Sequence, residues 1–289
     1  MFKNANGDIM TFGYLLVISK NDNVDYLKLA YALALSIKNT QKEGYDKVAL
    51  VTDDVESVKK LTSSWVFDTV IHWDQESHWN GRSWMDKLTP WDYTVCLDVD
   101  MLFFRDHSHY IHQLIEDSVE LFLPSATYTY RGDQVASNEY RKTFTANKLP
   151  NLYSLFTFFK KDSNLSSNFF KLGRYIIRYP REFSNLYLHR HIPKVVGTDE
   201  AFALSAKILG IEDEITYQSE FPKVVHLKPM IQNWPWPADS VSDHVGFYFD
   251  VGAQLKIGNF QQQGIVHYVE KNLVTSETIS ILENMAWKK

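Results

Sequence analysis

The stretch Tyr93-Thr94-Val95-Cys96-Leu97-Asp98-Val99-Asp100-Met101-Leu102-Phe103-Phe104 runs from apolar residues into an Asp-Val-Asp triplet and back again. Its first five residues read as a buried strand. Extended backbone continuing through the triplet places Asp98 and Asp100 on one face. Two carboxylates about 5 Å apart repel by roughly 3 kcal/mol at an effective dielectric of about 20. Flanked by apolar chain, they need a proton or a cation to offset this. A divalent ion with oxygen ligands, Mn2+ or Mg2+, meets the need, since such ions bind through one or two carboxylates plus substrate phosphates.

Upstream, Tyr14 to Ile18 is a short apolar run that ends at Ser19-Lys20-Asn21-Asp22-Asn23. It reads as a strand followed by a loop. Tyr26 to Ile37 is rich in Ala and Leu and reads as a helix capped by Asn23 or Asp25. Lys47 to Thr52 is a second strand closed by Asp53-Asp54, Val55 to Leu61 a helix, and Val66 to Ile71 a third strand. The alternation predicts an α/β fold with a mostly parallel, Rossmann-like central sheet and helices on both faces. Ligands in such sheets bind beyond the carboxyl ends of the strands, so the loops after Ile18, Val51 and Leu97 are expected to share one crevice.

Downstream the pattern changes. Asn151 to Phe159 reads as a long strand, Thr198 to Leu209 as a helix capped by Thr198 or Asp199, and Val224–Leu227 and Ile265–Val269 as short strands. Gln232 to Pro237 is expected to be irregular, because Pro235 and Pro237 flank Trp236. No Gly/Pro/Ser-rich linker divides the chain, so a single domain spanning 1–289 is expected.

Composition narrows the function. Of 289 residues, 45% are hydrophobic and 22% charged, which excludes intrinsic disorder. A chain this long buries about three quarters of its unfolded surface and needs no disulfide or metal staple. The net charge of −5 argues against the nucleic-acid backbone as the main partner. A nucleic-acid acceptor is therefore not favoured, although Arg131, Arg141, Lys142 and Lys148 are able to form a local basic lip. The single cysteine, Cys96, fits a reducing compartment. No apolar run reaches the roughly 18 residues of a membrane span, and the N-terminal stretch lacks a signal-peptide pattern. The expected location is the cytoplasm.

On these residues the chain resembles GT-A-fold nucleotide-sugar glycosyltransferases, nearest to the family 8 (glycogenin and galactosyltransferase-like) type. That group has a basic residue plus Leu, a short gap, and an apolar strand ending in Leu-Asp-x-Asp-x-Leu. Here Lys87-Leu88 precedes Cys96-Leu97-Asp98-Val99-Asp100-Met101-Leu102. The resemblance implies a nucleotide-binding half over about 1–105 and a smaller antiparallel acceptor-side region within about 106–289. It implies that Asp98 and Asp100 hold the metal, with Asp98 also near the ribose and Lys87 near the diphosphate. Asp22 and Tyr26 sit where such enzymes hold the nucleoside. Asn151 and Tyr153 match the acceptor-side segment softly, lacking its glycine. Asp199 and Glu200 match the Asp-Gln pair near the reacting sugar carbon, with Glu in place of Gln. The implied reaction is hexosyl or pentosyl transfer from a UDP-sugar to a glycan or other acceptor hydroxyl, with a lean toward retention.

The family completes its metal site with a late histidine followed by Lys-Pro-Trp. Two candidates stand here, His226 and His267, each after two β-branched residues. His267 is favoured as the ligand, being the later, with Lys271 close behind to meet the diphosphate. His226 with Lys228 then lines the sugar or acceptor side, and Trp234 and Trp236, held by prolines, offer faces for sugar stacking. Two other classes compete. A sugar-phosphate nucleotidyltransferase needs a glycine-rich loop where Ser19 to Asn23 has none. A non-catalytic carbohydrate-binding module explains the tryptophans but not the acids and histidine together.

Overall fold

The structure is a computed structural model that describes residues 2–3, 9–61, 63–74, 78–136, 140–188, 196–216, 222–232, 241, 244–250 and 253–286. Six strands form the main sheet in the order Thr69–His72, Val48–Thr52, Phe12–Val17, Tyr93–Leu97, Phe156–Lys160, Leu121–Phe122. The first four are parallel, and Phe156–Lys160 runs antiparallel to both its neighbours. From Phe12–Val17 the chain moves outward to one side and then returns to place Tyr93–Leu97 on the other. The topological switch point, where open α/β sheets hold ligands, lies between these two strands.

The central strands are buried on both faces and read as continuous apolar runs for that reason. Tyr14, Leu16, Val95 and Leu97 pack into one core with Ala30, Leu33 and Leu35, whereas Leu15, Ala49 and Cys96 pack into the other with Phe169, Phe170 and Phe202. Fully burying a Leu, Val or Phe side chain contributes roughly 1.5–3 kcal/mol relative to exposure. The Tyr26–Thr40 helix starts at Asp25, whose carboxylate accepts the Lys28 N–H at 2.9 Å. It packs against the C-terminal helix Ser276–Ala286, where the Tyr31 hydroxyl donates to Glu283 at 2.5 Å.

Among the described residues three smaller sheets complete the architecture, the shortest pairing Phe2–Lys3 with Ile9–Met10. Phe247–Phe249, Leu255–Ile257 and Phe260–Gln261 form an antiparallel sheet. Val224–His226 pairs in parallel with Ile265–His267, which pairs antiparallel with Met101–Phe103. That last pairing places His267 opposite Met101, and the Tyr268 N–H donates to the Asp100 carbonyl at 3.0 Å.

Three local expectations are corrected. The strand ends at Leu97, with the Asp98 N–H making a last ladder bond to the Leu155 carbonyl at 3.0 Å, and Val99–Asp100 form a bend rather than extended chain. Asn151 to Leu155 is irregular, with the strand beginning only at Phe156, since Ser154 gives its N–H to Asp199 instead of the ladder. The Thr198–Leu209 helix is capped by Gly197, not by Thr198 or Asp199.

Candidate functional site

At the switch point Asp98, Asp100 and His267 each offer a ligand atom, and these atoms all lie within 4.8 Å of one another. His267 Nε2 is 3.1 Å from Asp100 Oδ2 and 3.8 Å from Asp98 Oδ2. Two links of local structure bring this about. The bend after Leu97 turns both carboxylates to one side, and the antiparallel register with Met101–Phe103 delivers the imidazole. Adjacent ligands around an octahedral ion with bonds of about 2.1 Å lie roughly 3 Å apart, so the spacing fits a small divalent cation. Carboxylate oxygens and an imidazole nitrogen are both donors to divalent metal ions.

Cations already surround the acid pair. Lys271 forms an ion pair with Asp100, and Arg82 forms one with Asp98 while also donating to the Ser154 carbonyl. Burial pushes the Asp100 carboxyl up, but His267 and Lys271 outweigh it and hold the group well below the usual carboxylate range. His226 is buried directly behind His267, their rings stacked with centroids 4.6 Å apart. Burial, reinforced by His267 and Lys228, pushes the His226 imidazole well below its ordinary value.

Two clefts meet at these residues. One, of about 470 Å³, runs from Ser19, Asn21 and Tyr26 past Asp53 to Asp98, Asp100, His267 and Lys271, so the three strand-end loops do share a crevice. The other, of about 690 Å³, is lined by Tyr140, Lys142, Tyr153, Asp199, Glu200 and His226. Arg82, Asp98, Thr198, Lys228 and His267 line both.

Asp199 is held rather than free. Its Oδ1 accepts the Ser154 N–H at 2.8 Å and the Ser154 hydroxyl at 2.5 Å, and Arg141 pairs with Oδ2. Arg141 is nearly buried, stacks on Tyr153 and Phe144, and donates to Asn151 Oδ1 at 2.8 Å. The basic segment is therefore dispersed: Arg141 turns inward and Lys142 lines the second cleft. Glu200 accepts the Gly197 N–H at 3.0 Å and so closes the first turn of its own helix.

Other sequence candidates fall variously. Asp22 is exposed and lines, with Tyr26, a neighbouring cavity of about 480 Å³ that adjoins the first cleft. Lys87 is exposed, lies 3.7 Å from Asp86, and lines neither cleft. Asn151 is tied between Arg141 and the Ser125 carbonyl and lines neither cleft. Tyr153 is buried, its hydroxyl bonded to that of Tyr140. Trp234 and Trp236 lie outside the described residues.

Sequence reading missed Arg82 as a site residue. Its signal is the preceding glycine. A Cβ on Gly81 would stand 2.8 Å from both Val17 and Trp73, so only glycine lets this segment press against the first strand.

No protein-family model matches the chain, and no curated protein matches it in sequence. By fold it is similar to mouse xyloside xylosyltransferase 1 in its apo form, with a TM-score of 0.51 and 14% identity over 76% of this chain and 88% of that one. It is also similar to the apo structure of the bifunctional glycosyltransferase WbbM, with a TM-score of 0.51 and 12% identity. That match covers 98% of this chain and 51% of the other, so this chain spans about half the length of WbbM. At these identities the likeness is one of fold: the chain has a GT-A-like architecture shared with glycosyltransferases.

Proposed function

We propose that this chain is a metal-dependent glycosyltransferase of family 8 type, moving a sugar from a UDP-sugar to an acceptor hydroxyl with retention. The observation that carries the reading is the convergence of Asp98, Asp100 and His267 at the switch point of a sheet built like those of glycosyltransferases. It extends over the whole chain as a single domain acting in the cytoplasm, with a nucleotide half and an acceptor half.

Asp98, Asp100 and His267 hold the divalent cation. When bound, the cation supplies Lewis-acid stabilisation of the departing diphosphate, worth several kcal/mol. Lys271, paired with Asp100, and Arg82, paired with Asp98, would add fixed positive charge beside the diphosphate. Tyr26, with Asn21 at the cleft's far end and Asp22 in the adjoining cavity, receives the nucleoside. Lys228, which lines both clefts, bridges donor and acceptor.

Asp199 faces the second cleft, where the acceptor enters. Its carboxylate already accepts from three donors, out of about four lone-pair positions. It thus acts as a fixed negative charge that stabilises positive charge growing on the sugar carbon, not as a proton acceptor. The lean toward retention rests on the family resemblance, and Glu200, whose Oε2 accepts the Gly197 N–H, lines the same cleft. Glu200 supports Asp199 from the same helix turn.

The test is a screen of nucleotide sugars for Mn2+-dependent donor hydrolysis. A UDP-sugar is expected to be turned over, and Asp100→Ala is expected to abolish turnover while far-ultraviolet dichroism stays unchanged. Undiminished hydrolysis in that variant refutes the assignment of the acids.

A further inference from the structure

A third cleft, of about 540 Å³, opens away from the acids. Lys223 and Gly264, at the amino ends of the paired strands Val224–His226 and Ile265–His267, line it, whereas His226 and His267 end those strands on the other side. Lys223 and His226 are three residues apart, or about 10 Å of strand. Although the chain carries a net charge of −5, among the described residues no acid lines this cleft, and three cationic side chains do: Arg105, Arg131 and Lys223. Among the described residues none of the three forms an ion pair. The acids next to two of them in sequence are engaged elsewhere: Asp106 pairs with Lys42 at 3.5 Å, and Asp133 accepts from the Thr129 hydroxyl at 3.4 Å.

The walls are aromatic. Lys223 Nζ lies 5.0 Å from the centre of the Tyr128 ring and Arg131 lies 5.3 Å from that of Tyr130. Phe260, 45% exposed, stands edge-on to Tyr130. His107 also lines the cleft. It is only 5% exposed, and neither of its ring nitrogens has a hydrogen-bond partner among the described residues. A hydroxyl or an acidic oxygen of a ligand is the kind of partner this imidazole lacks.

We propose that this cleft is a second saccharide site that binds a sugar bearing a carboxylate or a phosphate. The acidic group meets Arg105, Arg131 and Lys223 through charge-assisted hydrogen bonds. The ring lies against Tyr128 and Phe260, and a hydroxyl or acidic oxygen reaches His107. A neutral sugar leaves the cations unused, and a bare anion leaves the aromatic faces unused. The assignment requires neither a metal nor a nucleotide, so it stands or falls separately from the transfer reading.

The test titrates the full chain with D-glucuronate, D-glucose 6-phosphate, D-glucose and inorganic phosphate. Binding is followed by calorimetry, and the His107 imidazole by nuclear magnetic resonance, assigned through its loss in His107→Gln. At least one acidic sugar is expected to bind saturably with a Kd on the order of 1 mM and to move the His107 signal. Affinity is expected to fall about tenfold in Arg131→Gln/Lys223→Gln, both exposed positions, with an unchanged melting temperature. The two acidic sugars tell a carboxylate site from a phosphate site. The proposal is overturned if glucose or inorganic phosphate binds as tightly as either acidic sugar. It is equally overturned if a single-stranded oligonucleotide outcompetes both, if the double variant binds undiminished, or if neither acidic sugar moves the His107 signal.

Discussion

The guanidinium of Arg82 reaches from the Asp98 carboxylate to the Ser154 carbonyl, and so stands where the two clefts meet. Burial works against its charge, but Asp98 outweighs the burial and raises its pKa further. Arg82 thus presents a permanent cation where a leaving diphosphate would lie, which the exposed Lys87 does not. Replacing Arg82 by Met is expected to lower kcat/KM for donor turnover by about 100-fold, the loss of one preorganised charge contact. Lys87→Met is expected to stay within about twofold. Steady-state kinetics on both variants check this, and the reverse ranking contradicts it. Asp98 and Asp100 were legible in the sequence because a short polar break in an apolar strand is a local signal. Arg82 was not, because its partners Asp98 and Ser154 lie 16 and 72 positions away, and its one local sign, the glycine before it, does not say which residues it meets.

At the scale of elements, the segment that follows Arg82 is held by a helix far along the chain. Arg174, in the helix Asn164–Arg178, donates to Asp86 Oδ1 at 2.6 Å and to the Ser83 carbonyl at 2.7 Å, and stacks over Trp84. Asp86 is 3% exposed. Arg174→Met is expected to destabilise the fold by about 3 kcal/mol, because it leaves a buried carboxylate with only the exposed Lys87, 3.7 Å away, as its cation. Asp86→Leu/Arg174→Met is expected to recover most of that, as buried ion pairs replaced by apolar side chains often do. Urea unfolding measures both, and a single variant within about 0.5 kcal/mol of the parent contradicts the claim. The strands and the Tyr26–Thr40 helix were readable from runs of apolar residues and a capping acid. The segment Asn151 to Leu155 was not, since its apolar composition suits a strand while the Asp199 carboxylate competes for its backbone.

Across the whole molecule, the central sheet sets the switch point, and a second small sheet carries a histidine to it from a position 167 residues beyond Asp100 in sequence. The parallel sheet was legible as an alternation of strand and helix. The strand pairing that chooses between two similar histidines was not, because Val224–His226 and Ile265–His267 have the same local pattern and differ only in which one faces Met101–Phe103. That pairing puts His267 beside both acids, with His226 stacked behind it. The most direct measurement is diffraction at the manganese absorption edge from crystals grown with Mn2+ and UDP. An anomalous peak about 2.1 Å from Asp98, Asp100 and His267 is expected, with the diphosphate against it. A peak bound to other residues, or none at this corner with UDP in the cleft, contradicts the account.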